Sequence, residues 1–177
     1  NTKVAYICKT DGFYVQCVNI HPMLISEINE EIKSYISPAI ENCFSSMKTE
    51  LEKRQAKVET GDTKEITVSM APGKVFVTIN KNLKITEKET TKTLDKFDVE
   101  ITSPFYELAS IAVNIAEHER KYCYFEYVGY MALDTSVDIR KDMLSDYTKI
   151  YALEDRESKK IMNIAIRSCA MPAGTGI

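Results

Sequence analysis

The sequence predicts an α+β fold: a long N-terminal helix packed on an antiparallel β-meander, then a second helical segment and a C-terminal β-hairpin. Three observations predict it. From Ile25 to Leu51 apolar residues return in steps of three and four, the period of a helix face. "KEITVSM" and "KVFVTIN" alternate apolar with polar, the period of a half-buried strand, and both periods recur in the same order after Ser103. No internal repeat and no long linker divides the 177 residues, so 1–177 is read as one domain.

Residues 1–20 read as a β-hairpin, because "KVAYICKTDGFYVQCV" alternates on both sides of a turn at "DGF". Two registers are open. With Gly12 and Phe13 central, Cys8 faces Cys17 at disulfide distance; with Asp11 and Gly12 central, Cys8 faces Val15 and the bridge is lost.

Residues 23–58 form the long helix, with Ile25, Ile28, Ile32, Tyr35, Ala39, Cys43, Met47 and Leu51 on its buried stripe. Proline lacks the amide a helix needs, so Ser37-Pro38 predicts a kink, or a fresh start capped by Ser37. Gly61 is expected to end the element.

The meander occupies 64–102. "APGK" suits a type II turn between its first two strands, and the charged "EKETTK" reads as an exposed loop between "LKIT" and "KFDVEIT". Ser103-Pro104 opens the helical segment 104–133, with Phe105, Leu108, Ile111, Ala112 and Ile115 buried and "EHERK" at an exposed exit. Strands return over 136–169, the last two hinged at "DRESK".

Charge and hydropathy exclude several classes. The net charge is −3 and lysines interleave with glutamates, so no basic stripe is available to displace counterions from nucleic acid. "FYELASIAVNIA" already contains Glu107 and falls short of the ~20 residues a membrane span needs. The chain opens on Asn1 without a leader pattern, and a leader or anchor is expected upstream.

Five cysteines without a C-x-x-C spacing look like a disulfide framework, not a zinc or thioredoxin-type site. The pairing expected is Cys8 with Cys17 and Cys123 with Cys169, leaving Cys43 as a small hydrophobe on the buried stripe. The alternative is five reduced thiols in a cytosolic chain. Catalytic chemistry finds little support. Only His21 and His118 could serve a cysteine as base; His118 is five residues from Cys123, a separation that does not superpose the two on one helix. No phosphate-binding or nucleophile-elbow motif occurs, and no catalytic, cofactor-binding or metal-binding residue and no cofactor is expected.

"KYCYFEYVGYM", 121–131, concentrates five aromatic rings. Read as a helix, it places Tyr122, Phe125 and Val128 or Gly129 on one side and Tyr124, Tyr127 and Met131 on the other. One set would enter the core while the other meets a sheet or partner. Tyr124, Tyr127 and Tyr130 are the candidate interface. The rival reading makes the segment 122–130 the pocket wall of a soluble ligand-binding module or enzyme.

The phrases "YICKTDGFYVQCVNIHPML", "APGKVFVTI", "ITSPFYELASIA", "YCYFEYVGYMALD", "DIRK", "TKIYALEDR" and "IAIRSCAMPAG" span nearly the whole chain. Through them it resembles an uncharacterised family of archaeal exported proteins with a pilin-like plan: leader, apolar N-terminal helix, extracytoplasmic domain. The resemblance implies a cell-surface location where disulfides form, a membrane link only through an anchor ahead of Asn1, and self-association or contact with other surface proteins. It implies no catalytic residue. The function expected is a non-enzymatic surface domain, in one form the subunit of a filament whose exposed strand edge pairs with a neighbour.

Overall fold

The computed structural model describes residues 4–169. Its elements run β1 (Ala5–Lys9), β2 (Val18–Asn19), α1 (Leu24–Lys53), β3 (Lys57–Ala71), β4 (Lys74–Glu87), β5 (Thr90–Thr102), α2 (Phe105–Tyr122), α3 (Tyr127–Leu133), β6 (Val137–Met143), β7 (Lys149–Asp155) and β8 (Ile161–Arg167). The α+β class holds, with the long helix on the meander and a strand hairpin near the end. Contacts divide the chain into two compact units: Asn1–Ile25 with Ser103–Ile177, and Ser26–Thr102.

In the first unit a five-stranded sheet runs β2-β1-β8-β7-β6. β1 pairs parallel with β8, and every other neighbour is antiparallel. Alternation supplies the core face: Val137 and Ile139 on β6, Tyr151 and Leu153 on β7, Ile164 and Ile166 on β8. Against it α2 lays Leu108, Ile111, Ala112, Ile115 and Ala116, spaced at three and four along one side.

The opening hairpin follows neither predicted register. Cys8 pairs with Asn19, and β2 is only two residues long. The loop between the strands sends its backbone groups to the end of β8 instead of across the hairpin. Thr10 N–H donates to the Arg167 carbonyl (2.9 Å) and Cys169 N–H to the Val15 carbonyl (2.9 Å); Cys17 N–H donates to the Ser168 hydroxyl (3.1 Å). These bonds outweigh the local turn preference of "DGF".

The aromatic segment is not one helix. Cys123 takes a left-handed conformation (φ 59°) that closes α2, its N–H returning to the Glu119 carbonyl. α3 then starts afresh, with the Glu126 side chain accepting from Gly129 N–H at 3.3 Å.

In the second unit α1 packs on the three-stranded sheet β3-β4-β5. Ala56, Val58 and Leu83 form a cluster with Met47 and Leu51 of the helix and with Ile85, Leu94 and Phe97; the Phe44 ring meets Phe97 edge-on at 5.1 Å. The predicted stripe is displaced in its middle. Tyr35 is 86% exposed, and Ala39 and Cys43 are exposed too, whereas Ile36 and Ile40 are half-buried and Phe44 is buried. Stepping by four from Ile32 through Ile36 and Ile40 to Phe44 keeps bulkier side chains inward than the set one residue earlier.

Pro38 sits inside an unbroken helix, and Ser37 is no cap: its hydroxyl donates back to the Lys33 carbonyl at 2.6 Å. The helix stops at Lys53, where Gln55 turns left-handed (φ 67°). Gly61 therefore lies within β3, which begins at Lys57. "LKIT" continues β4 without a break, and the turn after it shrinks to Lys88 and Glu89, with Glu87 paired to Thr90. Pro72-Gly73 makes the preceding turn with Gly73 at φ 74°, the position where type II geometry demands glycine.

Candidate functional site

The last turn of α2 carries Glu119 onto the same face as Ile115, four residues earlier, and hence into the core. The expectation that "EHERK" is an exposed exit fails at this residue, which is 0% exposed. Its carboxylate accepts the Tyr151 hydroxyl at 2.5 Å on Oε1 and the Lys149 ammonium at 2.6 Å on Oε2. Lys149 also donates to the Cys123 carbonyl at 2.7 Å. The Ser168 hydroxyl donates to the Glu119 carbonyl (3.0 Å) and accepts the Cys17 N–H. Burial, reinforced by the Glu119 charge, pushes the Tyr151 phenol far above its ordinary value, so it stays a donor at any physiological pH.

Both disulfides frame this network. Cys8 joins Cys17 with α-carbons 5.4 Å apart, and Cys123 joins Cys169 at 5.6 Å. A chain of hydrogen bonds thus runs from Cys17 through Ser168 and Glu119 to Lys149 and Cys123. Cys43, expected as a buried hydrophobe, is instead an exposed free thiol on α1.

The tyrosines divide by role. Phe125 is buried among Tyr151, Tyr130 and His118. Tyr127, Tyr130 and Met131 pack partly buried against the core. Tyr124 is 48% exposed, and its hydroxyl donates to Glu126 at 2.6 Å. That bond raises the Tyr124 phenol and lowers the Glu126 carboxyl. The rings have cationic company that the linear sequence conceals: Lys141 Nζ lies 5.1 Å from the Tyr124 ring and 5.0 Å from that of Tyr127. His118 hydrogen-bonds the Asn114 carbonyl at 3.0 Å and stands edge-on to Phe125, while Cys123 is held in its disulfide. Among the described residues no group of three His, Cys, Asp or Glu side chains is placed to hold a metal.

No family model, curated protein or solved structure matches this chain. The corner built by Glu119, Lys149, Tyr151 and Cys123 is held together by its own hydrogen bonds. Each charge has an opposite partner and each carboxylate oxygen a donor. Such an arrangement clamps the end of α2 to β7 and to the residues that follow β8.

Proposed function

We propose that this protein is a non-enzymatic, extracytoplasmic cell-surface domain that self-associates, of the pilin-like kind its sequence resembles. The observation that carries the reading is the pair of disulfides clamping one unit, since such bonds persist where the surroundings are oxidising. The opening hairpin supports the assembly half of it. Phe13, Val15, Val18, Ile20 and Met23 are all exposed large hydrophobics within eleven residues, Val18 at 68%. β2 forms one edge of its sheet. Such a patch on a strand edge is the usual signature of a docking surface. The exposed Tyr124 ring adds aromatic surface to the same unit.

Two measurements test this. Non-reducing mass spectrometry of protein purified anaerobically from its native host should find both bridges; five free thiols would overturn the location. Light scattering should show concentration-dependent oligomers that Val18→Lys with Ile20→Lys abolishes, and a strictly monomeric wild type at high concentration would overturn the assembly role.

A further inference from the structure

β4 buries Val75, Val77, Ile79, Lys81 and Leu83 in turn on one face, so a lysine stands where the alternation asks for an aliphatic side chain. Lys81 is 5% exposed. Its ammonium donates to Glu41 of α1 at 3.1 Å and to the Thr63 hydroxyl at 2.9 Å, while that hydroxyl donates to the other Glu41 oxygen. The Phe44 ring lies 5.3 Å away. Register shifts in β3 around Thr63 and in β4 after Asn80 flank this one level of the sheet, and bulges of this kind re-aim side chains. Burying a charge is costly and an apolar residue of similar volume is often no worse for stability. The cation therefore invites a reason beyond packing.

Above the pair opens a groove of about 430 Å³, within the size range of small-molecule sites. Its walls are polar: Ser45 and Thr49 from α1, Thr60 and Asp62 from β3. Two acceptors meet an ammonium that has three protons, leaving the third for an acceptor inside the groove. Asp62 makes no ion pair among the described residues and can accept a donor at the rim. Ser45 and Thr49 donate to helix carbonyls, so their oxygens turn lone pairs outward. Lys48 and Glu52 answer each other at 3.8 Å and add no net charge.

We propose that this groove binds a neutral polyhydroxylated ligand, a saccharide, with Lys81 donating to a ring or hydroxyl oxygen and Asp62 accepting from a hydroxyl. An anion is disfavoured because the lining carboxylates outnumber the lining cations. A cation is disfavoured by the ammonium at the floor. Hydroxyls give and accept at once, matching a wall that holds a donor deep and acceptors outside. The inference stands independently of any role in assembly.

The test is an amide-resolved NMR titration of the full chain with mannose, galactose, N-acetylglucosamine and maltose, against glycine and putrescine as charged controls. The expected result is saturable shifts confined to amides around Ser45, Thr60, Asp62 and Lys81 for at least one saccharide. Asp62→Asn and Lys81→Met should each weaken binding about tenfold, the size expected for one lost hydrogen bond to a charged group. Ser45→Trp, an exposed change that fills the groove and leaves the Lys81–Glu41 pair intact, should abolish the shifts. Three results would overturn the proposal: no saturable saccharide shift, binding indifferent to Ser45→Trp, or glycine or putrescine binding as tightly as any sugar.

Discussion

The Glu119 carboxyl group sits where water does not reach, and each of its oxygens depends on one donor. Tyr151→Phe keeps the ring and strips one of those donors. The variant should lose about 1.5 to 3 kcal/mol, the worth of a hydrogen bond to a charged group, read as a lowered urea midpoint at unchanged slope. The same phenol imposes a pH dependence. Because its folded-state pKa is raised, the folded state retains a proton that the unfolded chain releases near the ordinary tyrosine value of about 10. The stabilisation is complete below that pH and is lost as pH rises above it. Far-UV circular dichroism followed against tyrosinate absorbance should show alkaline unfolding at lower pH in wild type than in Tyr151→Phe, once their neutral stabilities are matched in urea. This residue and its partners were poorly legible in the sequence. A glutamate four positions after Ile115 does sit on the apolar stripe of α2, yet the neighbouring "EHERK" charges disguise it. Lys81 hides in the same way within the alternation of β4.

Among the elements, α1 runs unbroken through Pro38, where the sequence predicts a kink or a fresh start. Pro38 removes the N–H that would bond the Ser34 carbonyl, and the helix continues regardless. Pro38→Ala should raise the stability of the second unit by about 1 to 3 kcal/mol, seen as stronger amide protection across β3 to β5 in hydrogen exchange. The two bridges differ in the length of chain they close. Separations of 46 and 9 residues correspond to about 4 and 2.5 kcal/mol of restricted unfolded-state freedom. Cys123→Ala with Cys169→Ala should therefore lower the melting temperature more than Cys8→Ala with Cys17→Ala, measured by calorimetry.

Element type and order follow from hydrophobic period, and the type II turn follows from its glycine. Phase and register do not. Tyr35, Ala39 and Cys43 are as helical a set as Ile36, Ile40 and Phe44, and only the amount of apolar area buried separates them. The hairpin register depends on bonds to β8, some 150 residues away, which no local turn rule contains.

For the molecule as a whole, both disulfides lie in the unit that holds α2, α3 and the five-stranded sheet, and the helix-on-meander unit has none. Reductant should therefore act selectively. Hydrogen exchange with and without a dithiol is expected to show lost protection in α2 and β6 to β8, with β3 to β5 unchanged. Uniform loss across both would show that the bridges support the entire chain.

The arrangement of β1 beside β8 also has a mechanical meaning. The two strands are parallel neighbours, so tension entering ahead of Ala5 and leaving beyond Arg167 pulls them along their length in opposite directions. Every hydrogen bond between them is then loaded together, as in shear, instead of being peeled one at a time. Should that seam slip, the Cys123–Cys169 bridge short-circuits the force around the 46-residue stretch it encloses, withholding about 160 Å of extensible contour. Reducing that bridge would add the enclosed stretch to the length the chain can pay out under load.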